Sequence, residues 1–176
     1  YYANHGSGID PFCAGADLSG DLEATADLAE TVNKSLLKLT PFSKPIVAAV
    51  NGVCAGGGIE YLLATDIRFA AEHARFGLPE VKWGVYPFGG AATKLVRQIG
   101  YVHTMDLILT ARLISAVEAK EINLINKVLP AGEVLHRAIE TASQIAANSP
   151  SAVQAVRTQI SSMMTSDASL HEERDQ

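Results

Sequence analysis

The segment over residues 45–64 constrains the fold most, because it joins three kinds of local structure. Pro45 precedes a continuous apolar run that ends at Val50, and such a run predicts a buried strand. Residues 51–58 include four glycines and predict a turn without regular structure. Residues 59–64 are rich in helix formers and predict a short helix. A strand, a glycine turn and a helix in this order indicate an α/β fold.

The rest of the chain extends this α/β interpretation. Apolar residues at helical spacing predict a helix over 28–39, which Pro41 ends. Residues 67–71 predict a second strand, and Pro79 predicts a short helix with Glu80 in its first turn. Further helices are predicted over 89–99, 105–110, 133–147 and 152–163. We therefore expect parallel or mixed strands that are covered by helices.

Composition and charge exclude several classes of protein. The chain has 176 residues, of which 48% are hydrophobic, as in an ordinary globular domain. Its net charge of -5 gives no general attraction to nucleic acid or to an anionic membrane. No apolar stretch is long enough to span a membrane, and no signal peptide is recognisable. Both ends look incomplete, so further strands before residue 12 and further helix after residue 176 are expected.

Cysteine and histidine usage indicates a reducing compartment and no metal site. Cys13 and Cys54 lack Cys-x-x-Cys spacing, and both are predicted to be small buried side chains. The five histidines lack the spacing of metal ligands. We therefore expect a cytoplasmic protein, or one of the mitochondrial matrix if the source is eukaryotic.

Three segments carry the candidate chemistry. The small residues of 12–18 form a turn in which the backbone can approach a ligand closely. The glycines of 56–58 lead into the helix that holds Glu60, and the exposed N–H groups at such a helix start suit an oxyanion hole. The third segment, 76–80, ends at Glu80.

Each of these features also has a purely structural interpretation. A glycine-rich turn is more often a packing or phosphate-binding feature than an oxyanion hole. A glutamate in a first helical turn, such as Glu60 or Glu80, is usually a favourable charge against the helix dipole. Asp66 is predicted to hydrogen-bond backbone at the turn before the second strand. Trp83 and Tyr86 are predicted to lie in the core or in a pocket wall.

The order of these segments resembles the crotonase superfamily, which includes enoyl-CoA hydratases and isomerases. Its signature blocks are similar to residues 12–18, 46–66 and 76–95, and its later pattern is similar to 107–116 and 119–128. The resemblance implies a crotonase-like α/β fold of repeated β-β-α units, with a core over 12–130 and a helical region over 131–176. It also implies an acyl-CoA substrate, no cofactor apart from that coenzyme A, and a homotrimer or homohexamer.

The resemblance also implies the site residues. The catalytic pair is Glu60 and Glu80, and the oxyanion-hole N–H groups are those of Ala16 and Gly57. The implied substrate contacts are Ala14, Asp17, Gly56, Pro87 and Phe88. The presence of both glutamates favours reversible hydration of a trans-2-enoyl-CoA, because isomerases of the superfamily generally rely on one glutamate near the Glu80 position.

Two departures from the family pattern affect the expected substrate. Tyr86 and Phe88 stand in a stretch that is glycine-rich in many hydratases, so the acyl pocket is expected to be narrowed or reshaped. No basic residue follows Asp17, which puts one contact to a coenzyme A phosphate in question. An isomerase, another reaction on the same enolate scaffold, and a non-catalytic binding protein of the same fold remain the alternatives.

Overall fold

The computed structural model describes residues 2–5, 11–15, 30, 34, 42–87 and 89–165. In this part of the chain the strands form two sheets. The strands are β1 (Tyr2–His5), β2 (Ile46–Val50), β3 (Val53–Ala55), β4 (Ile67–Ala71), β5 (Arg75–Gly77), β6 (Ile114–Ser115) and β7 (Lys127–Leu129). One sheet is parallel with the order β1-β2-β4-β7, and the other is mixed with the order β3-β5-β6. The predicted parallel or mixed pairing is therefore confirmed.

The helices cover these sheets. The α-helices of the described residues are α1 (Gly57–Leu62), α2 (Ala91–Ile99), α3 (Tyr101–Thr110), α4 (Ala116–Glu121), α5 (Val134–Ala146) and α6 (Pro150–Thr165), and 3₁₀ helices form at Glu80–Trp83 and Ala131–Glu133. None of the described helices combines the length and apolar character that a membrane span needs. The helix predicted over 28–39 and its end at Pro41 lie outside the described residues, apart from Glu30 and Lys34, which are both helical.

Two β-β-α units follow one another along the chain. The first is β2, β3 and α1, and the second is β4, β5 and the 3₁₀ helix with α2. In each unit the first strand joins the parallel sheet and the second strand joins the mixed sheet. The chain therefore passes from one sheet to the other within every unit. This passage places the ends of β3 and β5 beside the start of α1.

The continuous apolar run of β2 is explained by burial on both sheet faces. Val47 and Ala49 belong to a hydrophobic cluster with residues of α5, whereas Ala48 and Val50 belong to the larger cluster that includes residues of α1. Successive side chains of a strand point to opposite faces, so a strand between two helical layers needs apolar residues at every position. The buried strand predicted here is confirmed.

The prediction that residues 51–58 lack regular structure is wrong. Val53–Ala55 form β3, which pairs in parallel with β5 and also with Cys13. Helix α1 then begins at Gly57, inside the glycine run, rather than after it. Local sequence does not show this strand, because three residues beside glycines form a stable strand only when distant partners pair with them.

Asp66 organises the turn before β4, as predicted. Its Oδ2 accepts the Ile46 N–H at 2.7 Å, which fixes the start of β2. The same oxygen accepts from Arg157 Nε at 2.9 Å, and this ion pair joins α6 to the parallel sheet. The side chain thus satisfies a backbone donor and anchors a helix far along the chain.

Candidate active site

The segment 11–15 reaches the centre of the molecule by pairing with β3. The Cys13 N–H donates to the Val53 carbonyl at 3.1 Å, and the Cys13 carbonyl accepts from the Ala55 N–H at 2.9 Å. Cys54 is fully buried, as predicted, and burial raises the pKa of its thiol. Cys13 is only half-buried. The pairing brings the small residues after Cys13 against the start of α1.

Glycine is required where these two segments meet. Gly15 and Gly56 both have a left-handed φ, +93° and +56°, which other residues rarely adopt. A Cβ on Gly15 would lie 3.2 Å from the Gly57 nitrogen, and one on Gly58 would lie 2.2 Å from the Cys13 carbonyl oxygen. The small residues therefore permit the close approach of two backbone segments. Packing accounts for these glycines before any ligand is considered.

The same packing leaves backbone donors unsatisfied at the start of α1. The Gly56 N–H donates to the Gly77 carbonyl at 3.0 Å, and the Ile59 N–H turns back to the Gly56 carbonyl at 2.9 Å. Between them, the N–H groups of Gly57 and Gly58 have no acceptor among the described residues, and that of Gly57 is the first of the helix. Helix starts leave such donors unsatisfied by geometry. A ligand oxygen can therefore occupy this position.

Glu60 lies on α1 and is buried, with 6% of its surface exposed. The Gly89 N–H donates to its Oε1, and a Cβ on Gly89 would lie 2.3 Å from the Glu60 Cδ. The backbone at Gly89 therefore rests directly on the carboxyl group. Such a donated N–H offsets negative charge on a buried carboxylate.

Gly89 is a site residue that the sequence reasoning missed. The glycine pair Gly89-Gly90 is the signal in the sequence, but the local pattern predicts the start of a helix there. Helix α2 begins at Ala91 instead, after Gly90 in a left-handed conformation. Only the close approach to Glu60 shows why a side chain at position 89 is excluded.

Glu80 begins the 3₁₀ helix, directly after Pro79. Its Oε1 would lie 3.3 Å from a Cβ on Gly56, so the carboxyl group faces the turn that precedes Gly57. Its Oε2 is buried and has no hydrogen-bond partner in the described part of the chain. Burial raises the pKa of Glu80, partly opposed by a hydrogen bond from its own backbone N–H. A half-buried carboxyl group with one unsatisfied oxygen is suited to hold or exchange a proton.

The predicted site residues that the structure describes divide into two groups. Glu60, Glu80, Gly56 and Gly57 come together around the first turn of α1, as the contacts above establish. Ala14 is exposed just before Gly15, and Pro87 is buried. Three other predicted positions lie outside the described residues, namely Ala16, Asp17 and Phe88. The second oxyanion-hole donor, at Ala16, therefore stays a prediction.

The burial of Glu80 has a consequence for stability that can be measured. Because its pKa is higher in the folded protein than in the unfolded chain, where 4.5 is the ordinary value, ionisation of Glu80 destabilises the fold as pH rises through the folded-state pKa. Glu80→Gln removes the charge and keeps the shape. We expect the variant to unfold at a higher temperature than the wild type at pH 8, with a difference that vanishes below pH 4.5.

Thermal unfolding of both proteins between pH 4 and pH 8 tests this expectation, with Glu72→Gln as the control at an exposed turn. A Glu80→Gln protein that is less stable than the wild type at pH 8 would contradict it. So would a stability difference that does not change with pH, because removal of a titrating charge must be pH-dependent.

The fold consists of repeated β-β-α units and holds two carboxyl groups and an unsatisfied N–H group around one turn. A comparison with known protein families agrees with this arrangement. Residues 6–176 match the family model described as enoyl-CoA hydratase/isomerase. The chain therefore belongs to this family of the crotonase superfamily, as its sequence resemblance implied.

Individual relatives agree with this assignment. The chain is 47% identical over 152 residues to enoyl-CoA hydratase EchA19 of Mycobacterium tuberculosis, a match that covers 82% of this chain and 57% of that protein. It is 39% identical over 150 residues to 2,3-dehydroadipyl-CoA hydratase of Escherichia coli, with coverage of 83% and 58%. The chain thus spans less than two thirds of the length of these curated relatives.

A solved structure confirms the predicted crotonase-like fold. The crystal structure of enoyl-CoA hydratase from Bacillus anthracis superposes with a TM-score of 0.85 and 36% sequence identity. The match covers 98% of this chain and 68% of that one. The division into a core over 12–130 and a helical region over 131–176 stays a prediction.

Proposed function

We propose that this protein catalyses the reversible hydration of a trans-2-enoyl-CoA to a 3-hydroxyacyl-CoA. The observation that carries the proposal is the convergence of Glu60, Glu80 and the Gly57 N–H around one turn. Hydration needs a base that activates water, an acid that protonates the α-carbon, and a donor that stabilises the thioester enolate. The relatives named as hydratases support the same reaction.

The environments of the two carboxyl groups support distinct roles. The raised pKa of Glu80 favours its protonated form, which suits the acid that gives a proton to the α-carbon. The N–H donated by Gly89 to Oε1 holds the Glu60 carboxyl group in place, which suits the base that takes a proton from water. The hydroxide then bonds to the β-carbon, and the electron pair of the double bond moves toward the thioester. The substrate thus gains one water, and one proton passes from Glu60 back to Glu80, directly or through solvent, before the next turnover.

The Gly57 N–H supplies electrostatic stabilisation in this proposal. As the thioester becomes an enolate, negative charge develops on its oxygen, and a fixed backbone donor at that oxygen stabilises the transition state. The N–H of Ala16 is the proposed second donor. The reaction transfers no electrons between molecules, so the proposal includes coenzyme A as part of the substrate and no redox cofactor.

An assay of the full-length protein tests the function directly. Incubation with crotonyl-CoA and with trans-2-decenoyl-CoA should remove the ultraviolet absorbance of the conjugated enoyl thioester on at least one substrate. Appearance of the 3-hydroxyacyl-CoA in the products confirms hydration. Formation of a 3-enoyl-CoA without any hydroxyacyl product would contradict the proposed hydration and would indicate isomerisation.

Gly89 offers a test of how Glu60 is positioned. Gly89→Ala places a Cβ 2.3 Å from the Glu60 Cδ, so the carboxyl group or the backbone beside it must shift. A displacement of about 1 Å in a catalytic group lowers rates by roughly 10²-fold, and we expect a loss of that order in kcat. Gly132→Ala is the matched control, because a Cβ there meets no atom within 4 Å. Wild-type turnover by a folded Gly89→Ala protein would show that Gly89 is not needed to position Glu60.

We also propose a homotrimeric or homohexameric assembly. Large apolar side chains on and near α3 support it, because they are exposed in the single chain; they include Tyr101, Val102, Leu109, Leu113 and Val117. Exposed apolar surface of this extent is typical of a protein interface.

A cytoplasmic location, or the mitochondrial matrix if the source is eukaryotic, is part of the same proposal. Cys13 and Cys54 support this location, because the two residues pair with each other in a β-bridge and yet both thiols are free. Free thiols are typical of reducing compartments.

A further inference from the structure

The two cysteines of the sequence lie directly opposite each other. Cys13 forms an isolated parallel β-bridge with Cys54, the middle residue of β3. The hydrogen bonds that join Cys13 to Val53 and Ala55 hold this bridge in register from both sides. Adjacent strands lie about 4.8 Å apart, and the two Cα atoms of a disulfide lie about 4.4–6.8 Å apart. The backbone of the pair is therefore already at a spacing that a disulfide can span.

The two cysteine side chains also lie on the same face of the bridge. Residues that are paired in register on adjacent strands point to the same side of the sheet. A Cβ on Gly58 would lie 3.0 Å from the Cys13 Cβ, so the Cys13 Cβ lies against the start of α1. Cys54 belongs to the same hydrophobic cluster as Ile59 and Leu62 of α1. Both side chains are therefore on the α1 side, and no change of register is needed to join the two sulfurs.

The two thiols differ in their access to solvent. Cys13 is half-buried, whereas Cys54 has no exposed surface. Burial raises the pKa of the Cys54 thiol, as does negative charge on Cys13, and the positive charge of Arg68 opposes part of this rise. A buried, protonated thiol reacts slowly with oxidants in solution. A dissolved oxidant therefore reaches Cys13 first, and Cys54 lies beside it as the thiol that completes a disulfide.

We propose that Cys13 and Cys54 form a reversible disulfide when the protein meets a peroxide, and that this bond slows catalysis. The Cys13 sulfur first attacks one oxygen of hydrogen peroxide, the O–O bond breaks, one water leaves, and Cys13 becomes a sulfenic acid. The Cys54 sulfur then attacks the Cys13 sulfur, and a second water leaves. The two thiols lose two electrons and two protons, and the peroxide accepts them as it is reduced to two waters. In reducing compartments such disulfides are transient and serve redox sensing.

The disulfide acts on the site through Gly15. Paired Cβ atoms on adjacent strands lie about 4.8 Å apart, whereas those of a disulfide lie about 3.8 Å apart, so formation of the bond moves Cys13 by about 1 Å toward β3. Two residues later, Gly15 packs so closely on the Gly57 nitrogen that a Cβ there would lie 3.2 Å from it. Movement of this segment therefore displaces the backbone around the Gly57 N–H. The effect on rate rests on the proposed hydration, whereas formation of the bond does not.

Mass spectrometry of the full-length protein tests the bond without any turnover. The protein is exposed to hydrogen peroxide until the exposed Met163 is oxidised to its sulfoxide, the remaining thiols are alkylated, and peptides are analysed without reduction. We expect a cross-linked pair of peptides that contains Cys13 and Cys54, is two hydrogens lighter than the separate peptides, and is released by dithiothreitol. Absence of this cross-link at that dose of peroxide would overturn the proposal.

Hydration rates test the consequence, with each protein compared before and after peroxide. We expect the wild-type kcat to fall by roughly 10-fold or more and to recover with dithiothreitol, because a displacement of about 1 Å in a catalytic group is costly. Cys13→Ser lacks the first thiol and should lose less than about twofold. Cys54→Ala keeps Cys13 but cannot close the bond. An equal, dithiothreitol-reversible loss in Cys54→Ala would assign the effect to oxidation of Cys13 alone and overturn the role of the disulfide.

The two measurements keep this inference separate from the proposed reaction. A cross-linked protein with an unchanged rate would overturn the effect on catalysis. If the reduced protein hydrates no enoyl-CoA, the proposed reaction is wrong, and the cross-link still decides whether Cys13 and Cys54 form the bond.

Discussion

Glu60→Gln and Glu80→Gln are each expected to lower the hydration rate by about 10²-fold or more, the scale of general acid–base catalysis. Glutamine keeps the shape of the side chain and removes its ability to exchange a proton. Because both carboxyl groups act in one transition state, the double variant should be scarcely slower than the poorer single variant. Measurement of kcat on the preferred enoyl-CoA for all three variants tests this. Glu121→Gln, an exposed glutamate at the end of α4, is the control.

The same variants separate hydration from isomerisation. An isomerase can move a proton between two carbons with one base, so Glu80→Gln would abolish turnover while Glu60→Gln would have a mild effect. Each variant is therefore assayed on a 2-enoyl-CoA and on its 3-enoyl isomer. If neither substitution changes either rate by more than about threefold in folded protein, the catalytic assignment of both glutamates is wrong, since acid–base catalysis supplies far more.

Gly57→Pro is expected to lower the rate by at least roughly 10²-fold, because it deletes the N–H that the proposal gives to the thioester oxygen. Position 57 is the first residue of α1, and proline is tolerated at the first position of a helix, since no helical hydrogen bond is lost there. The fold should therefore persist while the donor disappears. Thermal unfolding and kcat are measured together so that loss of folding is distinguished from loss of catalysis.

Gly57→Ala is the matched control for this experiment. It retains the N–H, and the added Cβ meets the Gly15 Cα at 3.6 Å, which is an ordinary van der Waals contact. We expect its rate to stay within about threefold of the wild type, because no donor is removed. Near-normal turnover by folded Gly57→Pro would remove Gly57 from the mechanism. A loss as large in Gly57→Ala would show that backbone crowding, rather than the donor, determines the rate.

The aromatic residues near the site show where sequence interpretation reached its limit. Trp83 and Tyr86 are apolar, and apolar residues are most often buried, so a core position was a reasonable alternative. The left-handed Gly84 and the hydrogen bonds of the 3₁₀ turn instead hold this segment at the surface. Exposure at a given position depends on the path of the backbone, and local residue type does not determine that path.

The sequence by itself determined the elements whose signals are local. The buried strand Ile46–Val50 followed from a continuous apolar run, and the turn role of Asp66 followed from its place before the next strand. The combination of glycine turns with Glu60 and Glu80, in order, was sufficient to identify the superfamily that the family model confirms. These features can be predicted without coordinates because each depends on residues that are neighbours in the sequence.

Only the tertiary structure decided how these residues meet. Strand β3 exists because Cys13 and β5 pair with it from either side, and Gly89 matters because its backbone rests on the Glu60 carboxyl group. Glu80 faces Gly56 because β5, which precedes Glu80 in the chain, lies beside the start of α1. In each case the partners are distant along the chain and are joined by backbone contacts. Backbone groups are the same in nearly every residue. The residue type at one partner therefore does not reveal which distant segment its backbone contacts.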